Sequence, residues 1–292
     1  MNQKTKLVYE SILKKVPRWR DYLEAKLGFR NHWYPIKLSR EIEESRVVKV
    51  TLCGENILLK RIEGKVYAMR DRCIHRGVPF SQRLECYTKD TITCWYHGFT
   101  YKWETGELCD ILASPDSRAI GRQKVKTYPV EEAKGVVFVF FGDDNITVPP
   151  LSEDVPPMFL DENMAMEGDS YIVESNWRVG CENGFDGLHV YIHRTSPLVA
   201  NTQRSLPIGH TAKSGLIEIH EAEGAPKGIF DSFAHHNVLW DGHIGGEVVV
   251  KGVRSPPESD AVASRTTAAS LWLPGALRVD DFPDQGRHQF EW

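Results

Sequence analysis

Two short clusters, Cys73-Ile-His75 and Cys94-Trp-Tyr-His97, place the strongest condition on how this chain folds. Each holds one thiol and one imidazole, each ends a run of strand-forming residues, and each is followed by a glycine, Gly77 in the first and Gly98 in the second. A fold that brings the two loops together like pincers gathers four metal-capable side chains at one tip of a β structure. A fold that keeps them apart leaves two unrelated pairs.

The order Cys, His, Cys, His bears on which metal is held. Structural zinc with two Cys and two His ligands usually takes both cysteines from one knuckle and both histidines from one helix. Here no helix carries the histidine pair. The order suits a Rieske-type [2Fe–2S] cluster, in which Cys73 and Cys94 hold one iron and His75 and His97 the other. Zinc and unconnected buried side chains stay open as alternatives. Arg76 and Trp95 are candidates for tuning the centre from its surroundings.

Composition limits the setting. With 41% hydrophobic and 26% charged residues the chain has the make-up of a folded globular protein. Lys and Arg number 36 against 40 Asp and Glu, a net charge of −4, and no basic block points to nucleic acid or an anionic membrane as partner. The longest apolar run, Val136–Phe141, is far shorter than the roughly 20 residues that span a bilayer. The N-terminal stretch mixes charge throughout and lacks the apolar core of a secretory signal, so a reducing cytoplasm is expected. Cys53, Cys86, Cys109 and Cys181 then read as buried thiols, and His220, His235 and His236 as surface or loop residues.

Apolar residues recur at helical spacing over 6–27, which predicts an N-terminal helical segment within residues 1–29. Short β-rich runs follow at 47–52, 57–62, 65–70, 91–95, 100–103 and 136–141, separated by turn signals, and predict a small antiparallel β domain over 30–147. The Pro-rich stretch 148–157 reads as a linker. A second domain over 158–292 is expected to open with a strand at 170–175 and a helix over about 177–192, with later strands at 216–220, 247–250, 268–273 and 289–292.

That predicted helix carries a second constellation. Asp186, His189 and His193 fall within a narrow arc of a helix turning about 100° per residue, and Asn183 extends the same stripe. Two histidines four residues apart are neighbours on one helix face and can grip one metal. Alone, such a pair is more often an ordinary core or surface feature.

The pattern C-x-H-R-G followed by C-x-x-H-G, with Tyr96 inside the second, resembles the Rieske family, and N-x₂-D-x₂-H-x₃-H downstream resembles the mononuclear-iron motif of the Rieske aromatic-ring-hydroxylating oxygenases. The resemblance implies an α+β fold: an antiparallel β domain for the [2Fe–2S] cluster and a helix-grip-like catalytic domain with an antiparallel sheet and helices. It implies that His189 and His193 bind Fe(II), the co-substrate being O2. It implies that Asp186 bridges His189 and the partner subunit's His97, with Asn183 behind it, in a head-to-tail homotrimer. Electrons would come from NADH through a reductase and a ferredoxin.

Further stretches, among them Phe29-Arg-Asn-His-Trp-Tyr-Pro35, Thr91-Ile-Thr-Cys-Trp-Tyr-His97 and Glu182-Asn-Gly-Phe-Asp186, are similar to the angular dioxygenases of that family, which act on flat carbazole-like heteroaromatics. Such a substrate calls for an apolar slot, with Ile192, Leu198, Leu271, Leu273, Leu277 and Phe282 as candidate walls and the Gly184 carbonyl as candidate acceptor for a ring N–H. The family's third iron ligand is a carboxylate. Asp280, Asp281, Asp284 and Glu291 match no such motif, so none is assigned and the catalytic domain is expected to be C-terminally incomplete. An electron-transfer protein using the cluster alone, and a zinc-stabilised binding module, are the competing function classes.

Overall fold

A computed structural model describes residues 6–7, 10–11, 14, 24–183, 217–220, 244–251, 266–272, 274–280 and 288–292. The chain divides into two compact units, one of Leu27–Leu151 with Pro157–Ile172, the other taking in Val173–Trp292 with Met1–Lys26 and Ser152–Pro156. All strand pairs among the described residues are antiparallel.

In the first unit, β2 (Val47–Leu52), β3 (Glu55–Ile62), β4 (Lys65–Arg70) and β9 (Thr127–Tyr128) form one sheet in that order. The β2–β3 and β3–β4 turns place Cys53, Gly54, Glu63 and Gly64 at positive φ, the conformation of tight hairpin turns. A second sheet orders β1 (His32–Leu38), β11 (Val136–Phe141) and β10 (Val130–Ala133), with β11 buried at every position. A third contains β5 (Leu84–Glu85), β6 (Thr91–Cys94), β7 (Phe99–Lys102) and β8 (Leu108–Ile111). Two cores result. Ile57, Leu59, Val66, Ala68, Val137, Val139 and Phe141 pack the first two sheets together, while Leu58, Met69, Phe80, Ile92, Tyr101, Trp103 and Leu108 join β3 and β4 to the third sheet. Alternate residues of β3 thus enter opposite cores, as a strand covered on both faces requires.

Residues 148–157 carry packed turns. The Trp33 indole donates to the Pro149 carbonyl at 2.8 Å, and Leu151 is buried in a 3-10 turn. Phe159, in the next turn, is buried edge-on against Phe138.

The second unit contains a helix, α1 (Trp177–Asn183), and a five-stranded meander of β12 (Ile217–His220), β13 (Ile244–Lys251), β14 (Thr266–Trp272), β15 (Ala276–Asp280) and β16 (His288–Glu291). The Trp177 indole donates to the Ala25 carbonyl at 2.9 Å. The antiparallel strands of both units, with few helices among the described residues, fit the α+β class expected from the sequence.

Two local expectations change and two are not tested. Residues 170–175 pair with no strand; Tyr171 and Ile172 are 84% and 88% exposed, so their β-branched and aromatic character reflects no sheet among the described residues. Cys86 is exposed just beyond the short strand β5, and Cys53 and Cys109 are half-buried, so these three are not core thiols. The N-terminal helical segment falls mostly outside the described residues, as does the continuation of α1 past Asn183.

Candidate metal centre

Cys73 follows β4, and Cys94 is the last residue of β6. From each cysteine the chain makes the same turn: the Gly77 amide donates to the Cys73 carbonyl and the Gly98 amide to the Cys94 carbonyl, both at 2.9 Å. The closing glycines sit at φ +71° and +68°, the left-handed region that side chains with a Cβ rarely enter. A Cβ on Gly98 would also lie 2.9 Å from that of Leu112. Two equivalent loops thus arise from two unlike spacings, Cys-x-His and Cys-x-x-His.

The loops are braced from below and from the side. Asp71, 5% exposed, accepts from the Ser81 amide at 2.9 Å and the Ser81 hydroxyl at 2.5 Å, tying the end of β4 to the 3-10 turn Phe80–Gln82. The Trp95 indole in the second loop donates to the Pro79 carbonyl in the first at 3.1 Å. Trp95 therefore acts as a cross-brace. Arg76 is exposed beside His75.

The four candidate ligands sort into two pairs. Cys73 and Cys94, 1% and 2% exposed, lie side by side in the core, while His75 and His97 are exposed with ring centroids 4.8 Å apart. The rings have aromatic neighbours: His75 stacks on Phe99 at 4.5 Å and 10°, and His97 lies 3.9 Å from Tyr96. The Tyr101 hydroxyl reaches Cys73 Sγ at 3.2 Å.

Burial pushes the Cys94 thiol up to about 11, assisted by the Cys73 thiol beside it, and burial likewise raises the Tyr101 phenol. Desolvation, with His97 and Arg76 nearby, lowers the His75 imidazole. A thiol that resists ionising in an apolar setting, as Cys94 does, gains most from a cationic metal, which binds the thiolate form. The downward shift at His75 favours the neutral ring, which keeps a lone pair for a ligand bond.

This donor set fits a dinuclear cluster better than one ion. A soft pair inside and an imidazole pair outside match the two unlike irons of a Rieske centre.

Comparison with known proteins agrees over both units. Residues 32–129 match the model of the Rieske [2Fe–2S] domain, and residues 140–292 that of the homotrimeric ring hydroxylases. The chain belongs to the Rieske ring-hydroxylase family. Within the family, the terminal oxygenase component of carbazole 1,9a-dioxygenase from Metapseudomonas resinovorans is 49% identical, over 98% of this chain and 73% of that protein. Its counterpart from Sphingomonas sp is 50% identical over 94% of this chain and 71% of the relative. Among solved structures, the terminal oxygenase of carbazole 1,9a-dioxygenase from Novosphingobium sp. KA1 matches with a TM-score of 0.74 at 43% identity, covering 96% of this chain and 74% of that one. A reduced complex between the oxygenase and ferredoxin of carbazole 1,9a-dioxygenase matches with a TM-score of 0.75 at 42% identity, over 97% and 72%.

Asn183 ends α1, while Gly184, Asp186, His189, Ile192, His193, Leu198, Leu273 and Phe282 lie outside the described residues. Leu271 on β14 is register-paired with Leu277 on β15, so the sheet places two candidate slot residues opposite each other. Sequence reasoning missed Tyr101, Phe99 and Asp71. Only a strand-like run around Tyr101 and Phe99 signalled them, and a lone Asp before Arg72 carries no motif.

Proposed function

We infer that this chain is the terminal oxygenase component of a multicomponent dioxygenase that adds both atoms of O2 to an aromatic heterocycle, by angular attack on carbazole-like substrates. The paired Cys73/Cys94 and His75/His97 arrangement, in a chain about half identical to two carbazole 1,9a-dioxygenase oxygenases, carries this reading. The cofactors are a [2Fe–2S] cluster and one mononuclear Fe(II). The oxygenase works as a homotrimer and receives electrons from a ferredoxin, itself served by an NADH-dependent reductase.

Cys73 and Cys94 would hold the inner iron of the cluster, and His75 and His97 the outer one; the cluster supplies one-electron transfer when bound. In the described unit, the chain's own work is to bury the thiols away from water, present the histidine pair at the surface and lock both loops through Asp71, Ser81 and Trp95. Ligation of Fe(II) by His189 and His193, bridging by Asp186 with Asn183 behind it, and a substrate slot around Gly184, Ile192, Leu271 and Phe282 belong to the proposal, supported by their spacing in the sequence. No described helix is long and apolar enough to cross a membrane, and the free thiols of Cys53, Cys86 and Cys109 fit a cytoplasmic location.

Iron and acid-labile sulfide analysis with EPR of the reduced protein tests the cluster, and the absence of a low-field-shifted [2Fe–2S] signal refutes it. Turnover of carbazole with ferredoxin, reductase and NADH tests the activity. Asp186→Asn is expected to keep the cluster signal and abolish turnover; retained turnover removes Asp186 from the electron path.

A further inference from the structure

We propose that Phe99 is a positioning residue for the cluster: its phenyl face fixes the plane of the His75 ring and shields one side of it from water. This rests on reading Cys73, His75, Cys94 and His97 as the ligands of a [2Fe–2S] centre. Imidazole ligands are commonly oriented by a hydrogen bond from the second ring nitrogen to a carboxylate or carbonyl. Among the described residues no such partner reaches the exposed His75 ring. Its ring contacts are an edge-on one with His97 at 4.8 Å and the stack on Phe99, with centroids 4.5 Å apart and planes within 10° of parallel, and of these only Phe99 is not itself a ligand.

Phe99 is suited to that role because the fold anchors it independently of His75. It opens β7 directly after the Gly98 turn, its backbone is paired with Ile111 of β8, and its ring packs against the core that contains Cys73, Cys94 and Tyr101. His75 belongs to the other loop. The stack is therefore a further cross-loop contact besides the Trp95–Pro79 bond, and it acts on a ligand directly. Rotating the imidazole about its bond to the chain would swing the ligating nitrogen off the line to iron, and the flat phenyl surface opposes that rotation.

The same contact affects the electron affinity of the centre. The reduced centre carries one more negative charge than the oxidised one. A phenyl face presents negative charge density and excludes water, and both disfavour added negative charge. Removing the ring is thus expected to make the centre easier to reduce.

The test uses the full chain loaded with iron and sulfide, comparing Phe99→Tyr, Phe99→Leu and Phe99→Ala by EPR and redox titration. Phe99→Tyr, which keeps the aromatic face, should retain the parent g-values and midpoint potential. Phe99→Leu and Phe99→Ala should raise the potential and shift and broaden the g-values. If Phe99→Ala does not hold iron, Phe99→Leu, which fills the same apolar space, carries the comparison. Parent potential and g-values in Phe99→Leu overturn the proposal. A parent protein without a Rieske signal overturns the cluster reading, and this proposal with it.

Discussion

The Tyr101 hydroxyl lies 3.2 Å from Cys73 Sγ, both groups buried. Once Cys73 is a metal-bound thiolate, only the phenol can donate, and a hydrogen bond to a ligand sulfur favours the more negative, reduced state. A bond worth about 0.5–1.5 kcal/mol corresponds to roughly 20–65 mV for one electron. Tyr101→Phe is therefore expected to lower the midpoint potential by up to that amount, since only the part of the bond energy that differs between the two oxidation states counts, with iron content unchanged. Redox titration followed by EPR measures it, and an unchanged potential removes the hydrogen bond as a tuning element.

Asp71 is a buried carboxylate with both donors on one residue, the amide and hydroxyl of Ser81. Ser81→Ala takes away the hydroxyl and leaves part of that carboxylate unsatisfied, an effect of about 1–3 kcal/mol. The expected outcome is a lower thermal midpoint and faster loss of iron, while the EPR g-values of intact protein stay as in the parent. Calorimetry and timed iron release measure the two effects separately.

Gly98 sits at φ +68°, and a Cβ added there would meet the Leu112 side chain at 2.9 Å. Gly98→Ala should destabilise by about 1–3 kcal/mol, from backbone strain plus the clash. Adding Leu112→Ala removes the contacts with Cγ and Cδ1 at 3.2 and 3.3 Å but keeps the Leu112 Cβ at 2.9 Å and the backbone strain, so the double variant should recover only a minor part of the loss. Denaturant melts of the single and double variants read this coupling.

Arg61 on β3 reaches across to Glu132 on β10 at 2.7 Å and also donates to the Ile42, Ser39 and Gly64 carbonyls. Burial pushes the Glu132 carboxyl up, but hydrogen bonds from Arg61 and Ser39 outweigh it and hold the group below the ordinary carboxylate range. A carboxyl that titrates lower in the folded than in the unfolded chain adds stability above its unfolded value of about 4.3. That increment fades as pH falls through the folded value. Glu132→Gln should lose up to about 1 kcal/mol near neutral pH and show a shallower decline in acid. Melts at pH 7 and pH 4 on both proteins check the sign.

The strands rich in β-branched and other apolar residues were legible in the amino-acid order: 47–52, 65–70 and 136–141 coincide with β2, β4 and β11. Strands β1 and β10 escaped notice for identifiable reasons. β1 contains Pro35, which cannot donate to a ladder, and the register with β11 shifts between Pro35 and Lys37 at this sheet edge. β10 reads Val-Glu-Glu-Ala and is held to β11 by backbone pairing more than by apolar content.

The sequence by itself determined the donor set, because Cys73, His75, Cys94 and His97 announce their chemistry by type, order and the glycines that follow. Tertiary structure decided how those donors are grouped and what surrounds them. Thiols paired inside, imidazoles paired outside, Tyr101 on one sulfur, Phe99 beneath one ring and Asp71 under one loop are contacts between residues that are not ligand neighbours in the chain. Such contacts depend on strand register and side-chain direction across paired strands. Register is fixed by the whole sheet, and no local pattern of residues records it.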